Sequence, residues 1–327
     1  MIYEFAPLEG ITGWPLRQAH AACFPGIDHY YTPFITANQT HSFKSREKRE
    51  LDPEHSRGLS LIPQILANDP EHFLWTAAAI AKSGYEEVDF NLGCPSPTVV
   101  THGRGAGFLA DPERLDRFFD AVFEKMTADP GSYPKRLTVK TRLGLNETAE
   151  TGRLIEIYNR YPIARVIVHP RLRSDFYKGF PRMEGFRVFY EELRHPLTYN
   201  GDIRSTAAAE AFSEAYPLTE SIMIGRGLLM NPALVRELRG GAPLEKRELL
   251  QYHDRLLELL MSDLGDFNHV LGKMKELWYY MAPQFYEGER RSKNIRKAKK
   301  EAEYRAAVDL FFAGGELLPE EERIWRP

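Results

Sequence analysis

The chain has 327 residues, 43% hydrophobic, 27% charged and 12% aromatic, with a net charge of −3 at pH 7. That balance excludes a disordered tail, a collagen-like chain and a coiled coil, and any nucleic-acid binding must use a local cationic patch. No apolar run reaches the about 20 residues a membrane helix needs, the first ten residues lack the pattern of a secretory leader, and two cysteines, Cys23 and Cys94, are too few for a disulfide framework, so a cytoplasmic protein is expected.

Eight short β-rich runs are predicted, at residues 2–8, 30–35, 61–66, 87–92, 137–143, 165–169, 197–200 and 221–225. Several lack polar–apolar alternation, as strands covered on both faces do. Helical patterns lie between them, such as the stripe Leu115, Phe118, Phe119, Val122 and Phe123. Asp69-Pro70-Glu71 and Asp111-Pro112-Glu113 each offer a cap acceptor, a first-turn proline and a first-turn acid. Eight strand–helix alternations predict an α/β fold of the (β/α)₈ TIM-barrel type, whose usual size is about 250 residues. The competing doubly wound sheet would carry its Gly-rich turn after the first strand, where this chain has Ala6-Pro7-Leu8-Glu9-Gly10.

After Gly240-Gly241-Ala242-Pro243 no strand is predicted. Leu249, Leu250, Leu256, Leu257 and Leu260 form one helical stripe, and Leu271, Met274, Leu277, Trp278 and Met281 another. The expected organisation is a barrel over 1–240 and a small helical domain over 241–327.

Barrel enzymes carry their working groups at the C-terminal ends of the strands. Here those positions hold Gln64; Asn91 and Cys94; Lys140 and Arg142; His169 and Arg171; Asn200, Gly201 and Asp202; and Gly225-Arg226-Gly227. Six consecutive strands ending in polar or glycine groups is a pattern that packing alone does not require. The last two sets lie where barrels bind phosphate, and glycine lets a backbone approach such a ligand. Two ordinary strand-to-helix turns would also carry glycine; a sugar phosphate, a nucleotide or flavin mononucleotide (FMN) would fit equally. Lys140, inside an apolar strand, is costly unless paired or liganded. It reads as a buried ion pair, or as a cation that stabilises charge on a reduced flavin or an enolate. His169 reads as a core histidine or as part of the same site.

Cys94 sits between Gly93 and Pro95. A thiol with pKa about 8.5 is mostly protonated at neutral pH and can serve as a general acid; a nucleophile and a small buried residue are the other readings. Cys23 ends the stripe Leu16, Ala19, Ala22 and reads as buried filler. Neither cysteine has a CxxC partner, so no metal site is expected. The Gly-rich segment 101–108 lacks the Lys-Ser/Thr of a nucleotide-triphosphate loop, and is expected to be a mobile loop with Arg104 facing a polyanion. The run 290–300 holds seven cations and no acid. It is either a solvated helix face or, beside Trp278, Tyr279, Tyr280 and Tyr286, a nucleic-acid contact.

Taken together, these segments resemble the dihydrouridine synthases, flavin enzymes that reduce uridine in RNA. The resemblance is carried by Ala6-Pro7-Leu8-Glu9-Gly10-Ile11-Thr12, Gln64-Ile65-Leu66-Ala67, Asn91-Leu92-Gly93-Cys94-Pro95, Gly105-Ala106-Gly107, Val139-Lys140-Thr141-Arg142-Leu143-Gly144, His169-Pro170-Arg171, Asn200-Gly201-Asp202-Ile203 and Met223-Ile224-Gly225-Arg226-Gly227. It implies FMN contacts at Pro7, Leu8, Glu9, Gln64, Lys140, His169, Asn200, Gly201, Asp202, Gly225 and Arg226, with NADPH as reductant. It implies Cys94 as the general acid and Asn91, Arg142 and Arg171 at the target uracil. Arg291, Lys293, Arg296 and Lys297 would grip the phosphates of RNA, with tRNA first among the candidates. A monomer with no membrane contact is expected. The departure His169-Pro170-Arg171-Leu172, where the family more often has threonine last, bears on that loop. Two rivals stay open: a flavin barrel reductase for a free small molecule, and a non-catalytic RNA-binding barrel.

Overall fold

The computed structural model describes residues 1–148 and 150–323. Its sheet has ten strands: β1 (Ile2–Phe5), β2 (His29–Tyr31), β3 (Ile35–Thr36), β4 (Leu61–Ile62), β5 (Gln64–Leu66), β6 (Glu87–Leu92), β7 (Arg136–Gly144), β8 (Arg165–Leu172), β9 (Leu197–Tyr199) and β10 (Ser221–Ile224). Neighbouring strands run parallel, and β1 lies between β10 and β2. Two of the eight expected strands are each broken in two. β2 and β3 belong to one run, β4 and β5 to the next, and Pro63 interrupts the second because it has no N–H for the ladder.

The broken strands close the ring. Tyr30 and Tyr31 pair with Leu61 and Ile62, and Ile35 and Thr36 pair with Ile65 and Leu66. β5 then continues through β6, β7, β8, β9 and β10 back to β1. The result is an eight-strand barrel, as the alternation predicted. Its interior holds a buried cluster of Ala6, Tyr31, Ile62, Ile167 and Met223. The helix Pro112–Ala128 buries the predicted stripe, and Asp69 and Asp111 cap their helices by accepting from the His72 and Arg114 N–H groups at 3.0 Å.

The chain divides into two compact units, 1–7 with 28–202 and 213–224, and 8–27 with 203–212 and 225–327. The border expected at residue 240 therefore falls inside the second unit, and residues 324–327 of the expected helical domain lie outside the described residues. The reason is the helix Trp14–Cys23. It follows the first strand in sequence but packs on the helix Lys246–Leu264: Trp14 Nε1 donates to Asp263 Oδ1 at 3.0 Å, and the Phe24 and Tyr252 rings meet edge-on at 5.6 Å. Cys23 is half-buried rather than fully enclosed, and burial raises its pKa. The second unit's own core joins Trp278, Tyr304 and His253. Trp278 Nε1 donates to Tyr304 Oη at 2.9 Å, and His253 Nε2 lies 2.7 Å from the same hydroxyl. Gly265, at φ +68°, ends Lys246–Leu264 in the left-handed conformation that favours glycine. Among the described residues no helix is long and apolar enough to cross a membrane.

Candidate active site at the strand ends of the barrel

Strand register brings the predicted polar residues of β5 to β8 side by side. Gln64 pairs with Asp89, Asn91 with Lys140, and Arg142 with His169. Side chains two residues apart on a strand share a face. Asp89 and Asn91 therefore face the same way on β6, as do Thr138, Lys140 and Arg142 on β7.

A continuous hydrogen-bond chain runs across these strands to the cysteine. Thr138 Oγ1 donates to Asp89 Oδ1 at 2.9 Å, and Gln64 Nε2 donates to Asp89 Oδ2 at 2.7 Å. Asn91 Nδ2 donates to Gln64 Oε1 at 2.7 Å. Asn91 Oδ1 in turn accepts from the N–H groups of Gly93 (3.1 Å) and Cys94 (3.0 Å). Asn91 thus shapes the turn that presents Cys94, and its second amide hydrogen is not used in this chain.

Asp89 is the anchor of this chain and was not singled out from the sequence. The available signal was an acid on the same face of the strand as Asn91, two residues before it. Burial raises its pKa, opposed by the bonds from Gln64 and Thr138 and by the Lys140 charge. The same burial, with the neighbouring Arg142 cation, pushes Lys140 down to about 8, and Asp89 opposes that. Burial also pulls Arg142 down to about 10. Arg142 Nε donates to Gly93 O at 2.7 Å and Nη1 to Leu172 O at 2.9 Å, while its guanidinium lies 5.5 Å from the centre of the Tyr177 ring.

Arg171 lies near the end of β8. It is fully buried. Nε donates to Lys178 O (3.4 Å), Nη1 to His169 Nε2 (2.9 Å) and Asp202 Oδ1 (3.3 Å), and Nη2 to Gly179 O (2.7 Å) and Asp202 Oδ2 (2.6 Å). All five guanidinium hydrogens are engaged within the protein. Arginine can only donate, so His169 Nε2 must accept and the ring proton sits on Nδ1. The Asp202 carboxylate orients and neutralises Arg171.

Asn200 Nδ2 donates to Met223 O at 2.8 Å, tying the end of β9 to β10. A Cβ on Gly201 would lie 1.9 Å from the Tyr199 hydroxyl, so only glycine fits there. Pro7 follows the end of β1 by two residues. In the second unit, Leu8 opens a turn in which its N–H donates to Thr12 Oγ1 at 2.7 Å, with Glu9 exposed at its tip. Gly225 follows β10 directly and precedes the short helix Arg226–Met230.

The Gly-rich segment is not the expected mobile loop. Gly105–Ala110 forms a 3₁₀ helix with Gly105, Ala106, Phe108 and Leu109 buried, and Ala106 N–H donates to Cys94 O at 3.0 Å. Gly105 has φ +54°, and a Cβ there would come within 2.9 Å of the Cys94 carbonyl. The glycine thus allows this helix to buttress the cysteine turn. Arg104 Nε donates to Asn68 Oδ1 at 3.4 Å.

The basic run forms two short helices, Gly288–Arg291 and Lys293–Lys297, with every cation exposed while Ser292, Ile295 and Ala298 are buried. Arg296 is paired with Glu289, and Arg290 with Glu287. Among the described residues, Arg291, Lys293 and Lys297 make no ion pair.

The donor set suits a flat heterocycle with acceptor atoms on its edge. Gln64, Lys140 and His169 offer N–H donors on β5, β7 and β8. The same half of the barrel carries a cysteine on a fixed turn.

Comparison with known proteins agrees with this chemistry. The family described as dihydrouridine synthase (Dus) matches residues 4–323. A tRNA-dihydrouridine synthase B of Pasteurella multocida is 26% identical over 293 residues, covering 89% of this chain and 80% of that protein. A tRNA-dihydrouridine(16) synthase of Neisseria meningitidis is 24% identical over 319 residues, covering 94% and 93%. Among solved structures, morphinone reductase aligns with a TM-score of 0.54 at 13% identity over 75% of this chain and 87% of that one. An old yellow enzyme from Trypanosoma cruzi aligns at 0.52 and 11% identity, over 77% and 92%. These two likenesses concern the barrel fold alone.

Proposed function

The chain belongs to the dihydrouridine synthase family, and on that premise we propose that it reduces the C5–C6 double bond of uridine in tRNA to 5,6-dihydrouridine, with a bound flavin and NAD(P)H. The observation that carries this reading is the hydrogen-bond chain from Asp89 through Gln64 and Asn91 to the Cys94 turn, beside Lys140. It prepares a proton donor and a cation at the strand ends where the family's chemistry occurs.

The flavin is read as FMN and the reductant as NADPH. Pro7, Gln64, Lys140, His169, Asn200 and Gly201 are the residues of the barrel unit that would hold the flavin. The assignments of Leu8, Glu9, Gly225 and Arg226 to it rest on the sequence resemblance. When bound, the flavin supplies the hydride that uracil C6 accepts. Cys94 donates the proton that C5 takes up. Lys140, as a cation, stabilises the negative charge that develops on the base, and His169 adds a neutral Nδ1–H donor. Arg142 and the remaining amide hydrogen of Asn91 orient the uracil carbonyls. Arg171 and Asp202 are positioning residues that hold His169. The protein is read as a monomer.

The test is incubation of purified protein with NADPH and an unmodified tRNA transcript, followed by mass analysis of nucleosides. Dihydrouridine in the tRNA but not from free uridine is expected. Equal reduction of free uridine would favour a small-molecule reductase, and a colourless protein that takes up no flavin would favour a non-catalytic RNA-binding barrel.

RNA binding by the 290–300 run has its own signature. Exchanging Arg291, Lys293 and Lys297 for glutamine is expected to weaken tRNA binding and to flatten the slope of log K against log salt by about one for each phosphate that no longer meets a cation. Arg296→Gln should do less, because its guanidinium is already held by Glu289. An unchanged slope in the triple variant would make the run a solvated helix face. Flavin content should stay constant throughout.

A further inference from the structure

The loop after β8 exposes two large aromatic side chains. Tyr177 is 45% and Phe180 86% exposed. A single exposed phenylalanine on a surface usually needs no explanation. This one sits on a loop that is tied down from several sides. Arg182 binds Asp175 through two bonds of 2.8 Å, and Arg182 N–H donates to Pro170 O at 2.6 Å. The buried Arg171 holds the Lys178 and Gly179 carbonyls. The backbone turns sharply through positive φ at Phe176 (+52°) and Gly179 (+67°), immediately before Phe180.

The root of the loop is the candidate site itself. The Tyr177 ring lies 5.5 Å from the Arg142 guanidinium and 6.3 Å from the His169 ring. Phe180 stands three residues further out, with Lys178 exposed between them. Segment 173–187 carries Arg173, Lys178, Arg182 and Arg187 against Asp175 and Glu184, a balance that suits a polyanion.

A uridine within stacked RNA must leave the stack before a barrel-bound thiol can reach it. Proteins that open a stack commonly place an apolar or aromatic side chain in the gap, and an aromatic ring stacks on any base because every base has a π-face. We propose that Phe180 is a positioning residue for RNA: it stacks on the base flanking the target uridine and holds the gap that the uridine leaves. The proposal rests on the dihydrouridine synthase reading of the site.

The experiment compares a folded tRNA transcript with unstructured oligouridylate under single-turnover conditions with excess NADPH. Phe180→Ala is expected to slow reduction of the folded tRNA about tenfold or more, and to leave oligouridylate essentially unchanged, because that substrate has no stack to open. Phe180→Trp should restore the rate and Phe180→Leu should not. A 2-aminopurine placed beside the target uridine should be quenched by the unaltered enzyme and bright with Phe180→Ala. Equal rates on folded tRNA, equal losses on both substrates, or rescue by leucine as complete as by tryptophan would each overturn the proposal. An unaltered enzyme inactive on both RNAs would instead overturn the family-based substrate reading, and the proposal with it.

Discussion

Replacing Cys94 with alanine is expected to lower dihydrouridine formation about 10²- to 10⁴-fold, the range that a positioned general acid contributes. The reason is structural. Asn91 Oδ1 fixes the Cys94 N–H and Ala106 fixes the Cys94 carbonyl, so the thiol stands on a turn held from both sides. Alanine keeps those backbone bonds and removes only the proton donor. Flavin content and tRNA affinity should therefore remain at the levels of the unaltered enzyme. Cys94→Ser should also be slow, because a hydroxyl is a far weaker acid than a thiol. The assay is dihydrouridine per tRNA in a single turnover, alongside flavin absorbance. A normal rate for Cys94→Ala would remove the thiol from the proton transfer.

The second large effect is expected at Lys140, and it has a pH signature. Its pKa is lowered from 10.5 to about 8, chiefly by burial. A depressed lysine pKa means that the cation is present below about pH 8 and lost as the pH climbs through it. The amine is then about nine-tenths charged at pH 7 and about one-tenth at pH 9. Turnover should fall along that limb if the cation stabilises charge on the base. Lys140→Met should cost about 10²- to 10³-fold at pH 7, in line with removal of one preorganised electrostatic contact, and should abolish the limb. Lys140→Arg should keep its charge at any pH tested and move the limb out of range, even if its bulk lowers the absolute rate. A limb that persists unchanged in Lys140→Arg belongs to another group and would refute the assignment.

Both predictions depend on Asp89, which opposes the burial of Lys140 and, through Gln64 and Asn91, braces the cysteine turn. Its burial beside Lys140 explains why these two groups sit closer in pKa than free aspartate and lysine: each is penalised by leaving water, and each partly relieves the other.

The barrel was legible in the amino-acid order because its signals are local. Runs of apolar residues, Asp-Pro-Glu helix starts and the change of pattern after residue 240 each lie within a few turns of chain. So were Gln64, Asn91, Cys94, Lys140 and His169 as candidates, since the end of a strand can be found from the strand alone. Their roles toward one another could not be found that way. The bond from Gln64 to Asp89 spans 25 residues and that from Arg171 to Asp202 spans 31. The pairing of Arg171 with Asp202 exists only through register and closure. The helix Trp14–Cys23 counted as part of the barrel until it packed on Lys246–Leu264. Periodicity reports which face of an element is apolar. Which distant polar atoms fall within about 3 Å of one another is decided by strand register and ring closure, and those exist only once the chain has folded.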